Sequence, residues 1–115
     1  MTPKSLGRQG EEMACGFLQA RGYRILQRNW RCRAGEIDIV ARDGKYLCFV
    51  EVKTRYSVRY GMAEEAVDFR KRKQLSKLAC LYLSDHGLKE IPVRFDVVAI
   101  CGTQMRLIRN AFQYS

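Results

Sequence analysis

Residues Gly35 to Arg55 read GEIDIVARDGKYLCFVEVKTR, two apolar runs joined by Asp43-Gly44, with acidic residues at alternate positions. Alternation over a few residues marks a half-buried strand, and Asp-Gly is a strong hairpin signal. Glu36 to Arg42 and Tyr46 to Thr54 are therefore expected to pair as antiparallel strands. With Asp43-Gly44 as the loop, Arg42 pairs with Lys45, Val40 with Leu47, Asp38 with Phe49 and Glu36 with Glu51. Glu36, Asp38, Glu51 and Lys53 then share one face, because residues two apart and residues directly opposite point the same way. A loop one residue longer puts Asp38 and Glu51 on opposite faces.

Three carboxylates on one strand face repel one another and lose hydration unless a cation compensates. A divalent metal supplies that charge, with Lys53 adding another beside it. The alternative is a hairpin with one solvated polar face. Against it, Leu47 and Phe49 fall on the same face as the acids, which does not suit a face turned wholly to water.

Composition narrows the functions. A length of 115 residues with 47% hydrophobic and 29% charged residues suits one soluble domain with a modest core. No run approaches a membrane span of roughly 18 apolar residues, and MTPKSLGRQGEE lacks the apolar centre of an export signal. A cytoplasmic protein is expected. The five cysteines (Cys15, Cys32, Cys48, Cys80, Cys101) form no CxxC pair and His86 is the lone histidine, which disfavours structural zinc and His-dependent nucleophilic catalysis. Lys and Arg number 21 against 12 acids, giving +9. With several acids gathered in the hairpin, the remaining surface is strongly basic and suits a polyanionic partner.

Outward from the hairpin, a helix is expected from about Lys4 to Arg21, started by Thr2-Pro3 and stopped by Gly22. Glu11 borders its buried stripe, and Gly7 and Gly10 permit close approach of another backbone or a phosphate chain. Tyr23 to Gln27 reads as a short strand. After it, Arg28-Asn29-Trp30-Arg31-Cys32-Arg33 interleaves cations with an aromatic, suiting phosphate contact and base stacking, or else a Trp30 packed at the core edge. Tyr56 to Gly61 has the composition of a basic, aromatic loop. A long helix over about Ala63 to Ser84 buries Val67, Leu75, Leu78, Ala79 and Tyr82, and its spacing places Lys71 along the packed face, able to snorkel toward the sheet edge. Val93 to Cys101 and Gln104 to Arg109 complete the strands, with Asp96 expected to pair with a basic neighbour. A helix between the hairpin and the next strand suggests a crossover, hence a mixed sheet with helices on its faces.

These residues resemble the restriction endonuclease-like, or PD-(D/E)xK, nuclease superfamily, whose hallmark is an acid on one strand and acid-x-Lys on the next: Asp38 and Glu51-Val52-Lys53 here. GRQGEEMA, Arg28-Asn29, GEIDIVA, FVEVKTR, the Val67/Lys71/Leu75/Ala79 helix, RFDVV and NAF together resemble the bacterial YraN-type family, UPF0102, over nearly the whole chain. The arrangement is also similar to archaeal Holliday junction resolvases, which share an acid on the first helix, Glu11 or Glu12 here. The resemblance implies a single α/β domain over 1–115, restriction endonuclease-like, with a mixed central sheet flanked by helices. It implies Mg²⁺ or Mn²⁺ held by Asp38, Glu51 and the Val52 carbonyl, with Lys53 orienting or deprotonating the attacking water, and Glu36 and Glu11 as further ligands or their supports. The implied activity is an endonuclease on branched or damaged DNA, DNA being favoured over RNA, with Arg31, Arg33, Arg55 and Lys71 contacting nucleic acid. A homodimer is the expected form for cutting two strands. The alternative is a nucleic-acid-binding or assembly module that keeps the fold without turnover.

Overall fold

The computed structural model describes residues 3–55 and 68–114, with 3–7 and 55 as backbone only. The elements run α1 (Pro3–Ala20), β1 (Arg24–Cys32), β2 (Gly35–Asp43), β3 (Tyr46–Arg55), α2 (Phe69–Asp85), β4 (Val93–Cys101) and β5 (Gln104–Phe112). The five strands form one sheet in the order β1-β2-β3-β4-β5. Only β3 and β4 pair in parallel; β1–β2, β2–β3 and β4–β5 are antiparallel. The expected mixed sheet with a helical crossover is therefore present, and no described helix is long and apolar enough to cross a membrane.

Alternation along the strands divides the core. Val40, Leu47, Phe49, Phe95 and Val97 pack with Leu75, Leu78, Ala79 and Tyr82 of α2. Ile39, Ala41, Cys48, Val50, Val98 and Ile100 pack with Ala14, Cys15 and Leu18 of α1. One helix thus covers each face, as a sheet apolar on both faces requires.

Several local expectations are corrected. The hairpin pairs Asp43 with Tyr46, Arg42 with Leu47 and Val40 with Phe49, so Gly44-Lys45 forms the loop and the register is offset by two residues. Gly44 takes the positive φ, 59°, that this tight turn demands. An offset of two preserves the faces, which is why the alternation argument survives a wrong turn. β1 does not stop at Gln27 but runs through Trp30 to Cys32, because β2 continues to pair with it. Helix α2 begins at Phe69: Asp68 is extended and caps it, its Oδ1 accepting the Lys71 N–H at 2.9 Å. Val67 and the Tyr56–Gly61 stretch lie outside the described residues.

Buried polar contacts lock the far end of the sheet. Asp96, 1% exposed, accepts from Arg94 Nε at 2.9 Å, from the Tyr23 hydroxyl at 2.7 Å and from the Asn110 N–H at 2.9 Å. Arg94 Nη2 also donates to Asp43 Oδ2 at 2.6 Å. The basic neighbour expected for Asp96 is therefore Arg94, two residues along the same strand. This network joins the start of β1, the end of β2, and strands β4 and β5. Arg94→Met leaves a fully buried carboxylate without its cation and should cost about 3–5 kcal/mol by urea denaturation.

At the other end, the turn between β1 and β2 is pinned to α2. Gln74 Nε2 donates to the Ala34 carbonyl at 3.2 Å, and Gly35 sits beneath it at φ +144°, where an added Cβ would lie 2.6 Å from Gln74 Nε2. Gly35→Ala combines a disfavoured φ with that clash and should destabilise by about 1–3 kcal/mol in the same assay.

Candidate metal centre and its basic surroundings

The β2–β3 ladder runs from the turn to Ile39↔Val50. Just beyond it the Val52 N–H donates to Asp38 Oδ2 at 2.8 Å, so a side chain takes up a strand amide. Packing changes side at the same point. Ile37 and Val40 both join the α2-side cluster while Ile39 and Ala41 join the α1 side, so strict alternation fails between Ile37 and Val40. Across on β1, Asn29 adopts φ 54°, a left-handed conformation that Asn tolerates better than most residues.

This irregularity gathers acids from three elements. Carboxylate oxygens of Glu11 from α1, and of Glu36 and Asp38 from β2, lie within 4.8 Å of one another. Glu11 reaches them because α1 lies close to β3 at Gly10, where a Cβ would stand 3.1 Å from Thr54 Oγ1. The close approach expected of Gly10 is thus to the sheet. Burial raises the Glu11 carboxyl above its usual range, and Asp38 and Glu36 push the same way, while a hydrogen bond with the Asn29 side chain and the Arg28 charge oppose them.

Glu51 stands on the other side of Asp38. It is 6% exposed, and Lys71 Nζ from α2 lies 3.5 Å from its Oε2. Asp38 belongs to both groups: burial, then the Glu51 charge and a hydrogen bond with it, push the Asp38 carboxyl up to about 7. The expectation that Glu36, Asp38, Glu51 and Lys53 converge on one face is replaced by two carboxylate groups hinged at Asp38. Lys53 makes no ion pair with Asp38 or Glu51; it lines a cleft beside the start of α2 with Asp68, Arg70, Lys71 and Gln74. An all-oxygen set of acidic side chains suits a hard divalent cation such as Mg²⁺ or Mn²⁺, and the upward shifts of Asp38 and Glu11 come first from burial and then from the neighbouring carboxylates.

The basic residues singled out by sequence take different places. Arg31 is exposed and its Nε lies 3.2 Å from Glu36 Oε2. Arg33 is exposed at the β1–β2 turn. Lys71 neutralises Glu51 from the packed side of α2, as its spacing suggested. The Arg55 side chain lies outside the described residues. Trp30 is 8% exposed and meets Tyr82 edge-on at 5.4 Å, the core-edge alternative. Sequence reasoning missed Asn29 as a partner of Glu11; the available signal was an Asn inside an otherwise strand-like run.

Among the described residues, two helices and a five-stranded mixed sheet, with carboxylates gathered where the central hairpin parts, define an α/β protein. The chain belongs to the family described as uncharacterised protein family UPF0102, whose pattern matches residues 10–100. It is 47% identical to a UPF0102 protein of Syntrophus aciditrophicus over 93% of this chain and 87% of the relative. A UPF0102 protein of Geobacter sulfurreducens is 47% identical over 96% and 90%, and one of Symbiobacterium thermophilum is 49% identical over 95% and 97%.

The Asp38 shift has a thermodynamic consequence. Its folded-state pKa, about 7, lies above the ordinary 3.8, so between these values the folded state binds more protons than the unfolded chain. Stability must fall as pH rises through that window. In a chelator, the melting temperature should drop by about 5 °C or more between pH 4.5 and 8. Asp38→Asn, which can still accept the Val52 N–H, should flatten that slope; equal slopes would show that Asp38 is not the group responsible.

Proposed function

We propose that this protein is a divalent-metal-dependent nuclease. The observation that carries the reading is the convergence of Glu11, Glu36 and Asp38 oxygens within 4.8 Å, beside a chain otherwise charged for polyanions at +9. The resemblance of Asp38 and Glu51-Val52-Lys53 to the PD-(D/E)xK pattern supports it. Asp38 is the shared ligand, with Glu11 and Glu36 completing one carboxylate group and Glu51 the next acid across it. When bound, Mg²⁺ or Mn²⁺ supplies Lewis acidity toward a phosphate oxygen and an acidified water.

The chain's own residues do the rest. Asp38, with Glu11 and Glu36, would hold the ion, and the Val52 N–H that donates to Asp38 fixes its carboxylate. Lys71 holds Glu51 in place beside the acids. Lys53, in the cleft with Arg70 and Lys71, places an ammonium where it can donate to a phosphate oxygen or orient the attacking water. DNA with branched or damaged structure is the substrate class the resemblance favours, with cleavage of two strands calling for a homodimer.

One observation favours a second reading, a nucleic-acid-binding module without turnover. Glu51 is already paired with Lys71, and the Asp38 carboxyl, pushed up to about 7, takes a proton more readily than a free one, so these two acids depend less on an ion. The two readings separate in one assay. With Mn²⁺ or Mg²⁺, wild-type protein should cut branched, nicked or single-stranded DNA, and Asp38→Asn or Lys53→Ala should reduce the rate by about 100-fold or more while each variant still unfolds cooperatively. Salt-sensitive binding without any metal-dependent cleavage of DNA or RNA would select the binding module.

A further inference from the structure

A cleft of about 620 Å³ lies between the β1–β2 turn and the C-terminal half of α2, within the roughly 300–1,000 Å³ usual for ligand sites. Trp30, Ala34 and Leu81 give it an apolar lining, and Leu81 is 40% exposed. Arg31, Arg33 and Lys77 make its rim cationic. The cleft abuts the acidic group, since Arg31 pairs with Glu36. Arg33 and Lys77 have no ion-pair partner among the described residues; Asp85, the one acid lining the cleft, stands with its Oδ2 3.8 Å from His86 Nδ1. The Gln74–Ala34 hydrogen bond ties the turn to the helix, so both walls are held together.

Apolar lining and cationic rim make different demands on a ligand. A continuous duplex presents phosphates but keeps its bases stacked inside, so the Trp30–Leu81 surface would gain nothing from it. An unpaired nucleotide offers a base for that surface and phosphates for Arg33 and Lys77. We propose that this cleft holds an unpaired nucleotide of the bound strand next to the acidic group. The assignment rests on the nucleic-acid reading above and narrows the substrate to one with a single-stranded segment: an overhang, a gap or an unpaired flap.

Trp30 is the only tryptophan, so its fluorescence reports on the cleft directly. Full-length protein in chelator at low salt should show saturable quenching by oligo(dT) or oligo(U) of about twelve nucleotides, the better ligand identifying the sugar. A blunt duplex of the same length should quench about tenfold less tightly, and Arg33→Glu and Lys77→Glu should each weaken the single-strand affinity by about tenfold. Lys45→Glu, at the hairpin turn, should leave it unchanged. Absence of quenching, equal quenching by the duplex, or charge reversals without effect on folded variants would overturn the assignment. Because no metal is present, cleavage activity without quenching sinks the cleft and leaves the nuclease reading standing, whereas quenching without cleavage of any substrate supports the cleft and counts against the nuclease.

Discussion

Buried carboxylates at the parting of β2 and β3 impose the constraint around which the rest of this protein is arranged. Like charges held close in a poorly hydrated place are costly, and each neighbour of Asp38 offsets part of that cost. The Val52 amide donates to it, Lys71 arrives from α2 to neutralise Glu51, and Asn29 hydrogen-bonds Glu11 from the adjacent strand. Burial and the Glu51 charge push the Asp38 carboxyl up to about 7, so it takes up a proton more readily than a free carboxyl. Both helices therefore meet at the acids, α1 supplying one and α2 supplying the counter-charge.

Two left-handed asparagines serve the acids with different donors: the Asn29 side chain bonds Glu11, whereas Asn110 offers its backbone amide to Asp96. Asn29 and Asn110 both adopt φ 54°, each on an outer strand and each near an acid of the neighbouring inner strand. At Asn110 the β4–β5 register shifts between Phe95 and Val97, and the freed amide bonds Asp96. A left-handed residue turns its amide out of the ladder, which makes a donor available to an anion without leaving it unsatisfied. The two sites differ in what completes them. Asp96 is enclosed by Arg94, Tyr23 and Asn110 and is fully compensated, which suits a clamp. Glu11, Glu36 and Asp38 remain partly accessible, which suits exchange of a cation with solvent.

Charge is segregated accordingly. Acids concentrate at the hairpin while Lys53, Arg70, Lys71, Lys77, Arg31 and Arg33 surround them across β3, α2 and the β1–β2 turn. A polyanion approaching that surface is attracted by the rim and repelled by the acids unless a cation intervenes. This gives a physical route by which metal and nucleic acid would each favour binding of the other in the proposed nuclease.

Much of this was legible from residues 35–55. Period-two alternation assigned residues 39–43 and 46–50 to their faces, because that period belongs to the backbone and tolerates an even register error; the loop proved to be Gly44-Lys45 and those faces were unaffected, whereas toward Ile37 the alternation fails. Helical spacing likewise put Lys71 on the packed side of α2, since i±4 neighbours share a face wherever the helix starts. Tertiary structure alone decided the grouping of the acids. Glu36 and Asp38 come within reach of Glu11, and Asp38 also bonds Glu51, because the β2–β3 ladder ends before Asp38 and packing changes side there. Alternation assumes an unbroken ladder, so it could mark the acids as belonging together but not divide them into two groups.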